Sequence, residues 1–276
     1  MYEDITNWVV ISDLHSGCQL GLCPPEGVQL DEGGFYLPSS IQQKVWAYWR
    51  DFWDVWVPHV TEGEPFGVEV NGDILDGVHH RSTHQITHNL TDQAKIAAMI
   101  LQPIFDLCEG RMFIVRGTEA HVGQSGAEEE RLACELGVVP NNLGQYARFD
   151  LWKTVGDGLV HFLHHIGTTS SNAYEATAVN KELTEEFNEA ARWNERAPNI
   201  IVRSHRHRSL KVTIPTAAGE AIAVVTPGWQ AKTPFAWRVA GARLAPPQFG
   251  GIVIRQGDDE LYTRSKTYTI GRTDIE

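Results

Sequence analysis

The chain has 276 residues, 42% of them hydrophobic and 21% charged, a globular composition that excludes a disordered or low-complexity polypeptide. Its formal net charge is −12 and no block of Lys and Arg occurs, so a grip on nucleic-acid phosphates needs a local patch or a bound cation. The acidic start "MYEDITNWVV" has no basic region followed by an apolar run, and no stretch reaches the roughly 18 apolar residues of a membrane span.

The four cysteines lack C-x-x-C spacing and scaffold density, so they read as reduced core thiols. A cytoplasmic protein that touches no membrane is expected, and nothing in the sequence fixes its oligomeric state. With no repeat, linker or low-complexity tract, one domain over residues 1–276 is the expectation.

Short β-branched runs alternate with helical patterns, the mark of a layered α/β protein. The first strand is expected over Trp8 to Ser12. Trp46, Trp49, Trp53 and Trp56 then fall on one face of a helix from about Ile41 to Val57, a stripe expected to press on a sheet. Strands are expected at Gly67 to Asn71 and Met112 to Val115, with a helix between them from Asp92 to Cys108.

"GTEAHVGQ" reads as a loop. It leads to a helix capped by the S-x-x-E spacing of Ser125 and Glu128 and running to about Leu136. Strands over Leu159 to Leu163 and Asn199 to Arg203 flank a polar helix with a stripe at Leu183, Phe187 and Ala190 that ends near Trp193. Beyond Arg208 come strands over Ser209 to Ile214, Ala221 to Val225, Gly251 to Arg255 and Leu261 to Tyr268, joined by Gly- and Pro-rich turns.

Five strand ends carry chemistry: Asp13-Leu14-His15, Gly72-Asp73-Ile74-Leu75-Asp76, Gly117-Thr118-Glu119-Ala120-His121, His164-His165 and Ser204-His205-Arg206-His207. Each alone is a weak signal, a capped strand end or a polar turn. H-x-H is stronger, because alternate residues of an extended segment project the same way and two imidazoles can reach one point. Together the five supply oxygen and imidazole nitrogen without thiolate, a donor set suited to Mn, Fe or Zn. Seven or eight donors are too many for one tetrahedral ion and enough for two that share a carboxylate.

In the order D-x-H, GD-x-x-D, a third Gly-led motif, a lone His and H-x-H, the stretch from Asp13 to His207 resembles the calcineurin-like metallophosphoesterases. The resemblance implies a four-layer α/β (α+β) fold, a central β-sandwich flanked by helices. It also implies two divalent cations, with Mn preferred over Fe or Zn, and hydrolysis of a phosphate ester by hydroxide shared between them.

By the same resemblance, Asp13, His15 and His207 would hold the first ion, and His164 and His205 the second. Asp73 would bridge the two, and Asp76 would orient its neighbours. His165 stays open as an alternative to His164, or as a substrate contact beside His80, Arg81 and Arg206. The third motif departs from the family's G-N-H: Glu119 is expected to replace the Asn as ligand, with Thr118 the alternative, and His121 to keep the role of acid towards the leaving group. A phosphodiester is the favoured substrate. A DNA or RNA nuclease and a non-catalytic metal-binding scaffold are the other readings.

Overall fold

The computed structural model describes residues 5–79, 82–167, 172–234, 236, 246–258 and 260–271. In chain order its elements begin with β1 (Asn7–Ile11), a small ribbon of β2 (Val28–Gln29) and β3 (Phe35–Tyr36), and α1 (Ser40–Asp51). A π-helical turn over Phe52–Trp56, α2 (Val57–Thr61), β4 (Gly67–Asn71), α3 (Leu90–Leu107), β5 (Met112–Val115) and α4 (Glu119–Val122) come next. After α5 (Ala127–Leu136) come β6 (Ala147–Arg148), β7 (Leu151–Val155), β8 (Gly158–Phe162) and α6 (Glu175–Trp193). The chain closes with β9 (Ile200–Arg203), β10 (Leu210–Thr216), β11 (Gly219–Val225), β12 (Gln248–Gln256) and β13 (Leu261–Thr269).

Among the described residues two large sheets form, in the orders β13-β12-β1-β4-β5-β6 and β10-β11-β9-β8-β7. In the first sheet β1, β4, β5 and β6 run parallel. In the second, β8, β9 and β11 do so. Alternation along the strands sorts side chains to the two faces of each sheet. Trp8, Val10, Phe113 and Val115 of the first sheet meet Val160, Phe162, Val202 and Val224 of the second in one core.

On the other face of the first sheet, Val9, Ile11, Val68 and Ile114 pack with Val45, Trp49, Ile96 and Leu132 of the helices. Val179 and Leu183 of α6 cover Ile201, Ala223 and Val225 of the second sheet. Helices, sheet, sheet and helix make four layers, the expected sandwich.

The tryptophan stripe is core: Trp49 and Trp53 are buried, with Trp46 and Trp56 packed against the same cluster. The helix that carries it is longer than expected and widens to π geometry just before Pro58. Proline has no N–H to donate four residues back, so a wider turn carries the helix past it.

The first half of the third motif is also different, since Glu119–Val122 form a short helix rather than a loop. Ser125 does not cap α5 either. It takes a left-handed conformation with its carbonyl accepting from Arg116 Nη1 at 2.9 Å, and Gly126 becomes the cap without a side-chain bond. The edge strands β6 and β7 were not expected, because β7 alternates burial too briefly to stand out. All four cysteines are free thiols, but only Cys18, Cys23 and Cys108 are buried; Cys134 is exposed. No helix among the described residues is long and apolar enough to cross a membrane.

Glu69 sits inside this frame, fully buried in the middle of β4. Burial pushes its carboxyl up to about 8, against the opposing pull of the Arg148 guanidinium. Below the unfolded value of 4.5 both states hold the proton. Above it the unfolded chain ionises first and binds fewer protons, so this group lowers stability as pH rises from about 4.5 to about 8. Glu69→Gln is therefore expected to gain stability relative to the parent as urea unfolding is repeated from pH 5 to pH 8. An unchanged difference across that range would contradict the assignment.

Candidate metal centre

The carboxyl ends of β1, β4, β5, β8 and β9 converge on one edge of the sandwich. Backbone bonds set the first turn of each loop: Asp13 N–H donates to Gly72 O at 2.9 Å, His15 N–H to Asp73 O at 3.1 Å and Ser204 N–H to His164 O at 2.9 Å. Asn71 crosses between the sheets, its Nδ2 donating to Leu163 O at 3.2 Å and Ser204 Oγ at 2.7 Å. Its carbonyl accepts from His164 Nδ1 at 2.7 Å.

Among the described non-glycine residues with positive φ are Asp13 (53°), His15 (46°), Asp73 (52°), His205 (69°) and His207 (50°). Left-handed backbone is costly for side chains with a Cβ, though Asp, Asn and His tolerate it best, and it persists where the surroundings over-determine it. Here it turns each side chain sharply out of its strand end towards the same space. The crowding is tight: a methyl on Gly72, at φ 82°, would lie 2.5 Å from His164 Nδ1, and one on Gly117 would overlap the backbone nitrogen and Oδ1 of Asp73.

Among the described residues three groups of donors result: Asp13, His15 and His207; Asp73, His164 and His205; and His15, Asp76 and His121. In the first, His207 Nε2 is 3.2 Å from Asp13 Oδ1 and 3.1 Å from His15 Nε2. In the second, Asp73 Oδ2 is 3.1 Å from His164 Nε2 and 3.7 Å from His205 Nδ1. The third has a different character. Asp76 Oδ1 lies 3.3 Å from His15 Nδ1 and accepts from Gln230 Nε2 at 3.0 Å, and Oδ2 accepts from Gln85 Nε2 at 2.8 Å. A carboxylate so tied orients His15, leaving its Nε2 for the first group.

These donors fit divalent cations. His164 Nδ1 faces a carbonyl and must carry the proton there, so the neutral ring offers a bare Nε2 to a carboxylate oxygen 3.1 Å away. Two lone pairs at that distance need positive charge between them, a proton or a metal. Asp13 Oδ1 and His164 Nε2 are buried and carry no well-directed hydrogen bond among the described residues. Burial raises the carboxyls of Asp13 and Asp73, but the imidazoles of His207 and His164 outweigh it and hold both low. Burial likewise lowers His164 and His207, and Asp73 and Asp13 pull them up. The pocket is built for charge.

His121 Nδ1 donates to Asp76 O at 2.6 Å, which aims Nε2 into the site, 4.0 Å from Asp73 Oδ2. Burial, with His15 adding to it, lowers the ring to about 4. His165 is exposed, its ring 5.9 Å from that of His205 and 5.2 Å from that of His164, outside the donor groups. Burial lowers its pKa too, with His164 adding to it.

Arg206 is not brought over the donors; its Nη2 donates to Gly167 O, and burial lowers its pKa against the opposing pull of Glu175 and Glu182. Left-handed backbone at His205 and His207, on either side of it, turns those two rings towards the donors and leaves Arg206 on Gly167. His80 and Arg81 lie outside the described residues. Glu119, expected as a ligand, is exposed in the first turn of α4 and joins none of the three groups. Thr118 stands there instead, its N–H donating to Asp73 Oδ1 at 2.6 Å.

Glu129 went unnoticed in the sequence. The run Glu128-Glu129-Glu130 reads as a solvated helix face, yet Glu129 is fully buried. Its Oε1 accepts from Ile74 N–H and its Oε2 from Gly117 N–H, both at 2.8 Å, so one carboxylate clips the loop carrying Asp73 to the loop carrying Thr118. Only the E-to-apolar rhythm of Glu129, Leu132, Ala133 and Leu136, all buried on α5, hinted at it.

No protein-family model matches the chain, and no curated protein does. Solved structures with similar chain traces include a predicted phosphoesterase from Streptococcus pneumoniae TIGR4 (9% identity, 96% of this chain and 98% of that one, TM-score 0.35). Vps29 from Chaetomium thermophilum is similar at 12% identity over 98% and 97% of the two chains, TM-score 0.37. The sulfate thiohydrolase SoxB of Thermus thermophilus, in complex with glycerol, is similar at 12% identity over 96% and 57%, TM-score 0.40. At such scores the likenesses carry no weight for the chemistry, and what the chain can do rests on its own donor groups. In the order and placement of its motifs the chain resembles the calcineurin-like metallophosphoesterases.

Glu129→Gln keeps the shape but offers only one acceptor oxygen, leaving a buried N–H facing an NH₂ group. The expected loss is about 1–3 kcal/mol in urea unfolding. A loss below about 0.5 kcal/mol, the level of an ordinary surface change, would show that the clip holds nothing.

Proposed function

We propose that the chain is a metal-dependent phosphoesterase, cleaving a phosphodiester by preference, with two divalent cations held by Asp13, His15 and His207 and by Asp73, His164 and His205. The observation that carries this is the pair of buried carboxylates, each faced by imidazole nitrogens at 3.1–3.7 Å. The absence of thiolates from the groups suits Mn, with Fe and Zn as alternatives. When bound, such ions supply Lewis-acid charge to phosphoryl oxygens and make a water acidic enough to attack near neutral pH.

The chain's own residues do the rest. The two carboxylates and four imidazoles fix where a phosphoryl group can sit, at the rim left open by the partly exposed His205 and His207. His121, anchored through Nδ1–H on Asp76 O, rests neutral because burial lowers the ring to about 4; its Nε2 would take up the proton of the attacking water and pass it to the departing oxygen, the role a poor diester leaving group needs. His165, exposed with its ring 5.9 Å from that of His205, is proposed as a substrate contact, as are His80 and Arg81. Arg206 would have to leave Gly167 to join them. Asp73 acts by holding charge between the donor groups. A single domain in the cytoplasm accords with the reading.

A nuclease is the second reading, since bound cations supply the positive field that a net charge of −12 denies. The favoured substrate is nonetheless a small diester.

Metal analysis with hydrolysis of bis-p-nitrophenyl and mono-p-nitrophenyl phosphate tests the proposal. Mn-loaded protein is expected to cleave the diester faster than the monoester, and Asp73→Asn to lose at least about 100-fold in kcat, no less than the loss of an outer orienting partner. Protein that binds none of Mn, Fe or Zn and cleaves neither ester refutes it.

A further inference from the structure

The third motif poses a question that the donor groups leave open: what Thr118 does at the mouth of the second group. Thr118 is the N-cap of α4, with extended backbone at φ −71° and ψ 136°. A threonine there ordinarily turns its hydroxyl back to accept from the helix's free N–H groups. Thr118 makes no such bond. Its Oγ1 lies 3.1 Å from His205 Nδ1 and 3.4 Å from Asp73 Oδ2.

The hydroxyl is held in that position from behind. Thr118 N–H donates to Asp73 Oδ1 at 2.6 Å, and the preceding Gly117 N–H donates to Glu129 Oε2 at 2.8 Å. Neither bond lets the backbone swing away, and Gly117 can approach Asp73 so closely only because it has no side chain. Thr118 is thus a cap whose hydroxyl has been diverted among the donors of Asp73, His164 and His205.

Resting on the proposed two-cation site, we infer that Thr118 Oγ1 is a neutral oxygen donor to the ion in the second group, and that Glu119 is not. A threonine hydroxyl serves hard divalent cations in this way when the backbone holds it in place. Glu119 carries the charge but is exposed and outside the group. The second pocket then has one carboxylate, two imidazoles and a hydroxyl. Adding no negative charge there keeps the pair of ions electrophilic towards an anionic ester.

The test is a titration of metal-free protein with MnCl₂ by calorimetry, read as two classes of site, on the parent, Thr118→Val, Thr118→Ser and Glu119→Gln. Thr118→Val keeps the shape and removes the oxygen; it is expected to weaken one class by about 10–100-fold, the range seen when a metal site loses a supporting group, with the other class within about threefold. Thr118→Ser is expected to restore the parent affinity, which a purely packing role for the methyl group would not allow, and Glu119→Gln to bind like the parent.

Two tight classes in Thr118→Val, or loss of one class in Glu119→Gln, overturns the inference and leaves the phosphoesterase reading standing. A parent protein that binds fewer than two ions overturns the reading itself. Circular dichroism of each variant separates misfolding from a lost ligand, and Thr118→Asn, which offers an amide oxygen at the same position, is a further check: it is expected to bind two ions.

Discussion

The hydrogen bond from His164 Nδ1 to Asn71 O, 2.7 Å long and fully buried, is the joint on which the site depends. It spans the two sheets at the ends of β4 and β8. It also fixes the imidazole tautomer, so that the other ring nitrogen must face Asp73. The Asn71 side chain repeats the crossing in the other direction, to Leu163 O and Ser204 Oγ. The two groups proposed for the ions therefore each draw residues from both sheets: Asp13 and His15 with His207, and Asp73 with His164 and His205. A sandwich whose sheets slid by one residue would lose both groups together.

Around that joint the chain stores charge and strain that folding alone would not select. Five of the donors adopt left-handed backbone, and carboxylates with imidazoles are buried where each alone is costly. Ser12 Oγ donates to Asp13 Oδ2 at 2.5 Å, and hydroxyl contacts of 2.6 and 2.7 Å run on through Thr226 to Ser204, so Asp13 is braced from behind while Oδ1 faces the donors. Cations of charge two would relieve the arrangement; a hydrophobic replacement of any one partner would leave the rest uncompensated. The cost is met by the large apolar cores on either side of the first sheet.

Much of this was legible in the sequence because it is written in short, strongly patterned segments. Gly67–Asn71, with Val at alternate positions and Gly72-Asp73 directly after it, and Met112–Val115, apolar throughout with Arg116-Gly117 after it, have the bounds expected. Other features depend on contacts distant in sequence. Locally only its rhythm with Leu132, Ala133 and Leu136 marks Glu129 as buried, and its partners Ile74 and Gly117 come from two other loops. Ser125 fits the spacing of a capping residue, but Arg116 holds its carbonyl in another turn. The choice between Thr118 and Glu119 turns on which of two adjacent side chains faces inward at the start of α4. Charge favours the Glu, and the backbone presents the Thr.

The central claim is that two cations sit in the two donor groups, braced by the cross-sheet joint. Diffraction from crystals grown with MnCl₂, collected at the manganese edge, tests it most directly. Two anomalous peaks are predicted, one in contact with Asp13, His15 and His207 and one with Asp73, His164 and His205. The absence of any peak, or peaks lying only at surface carboxylates, would contradict it.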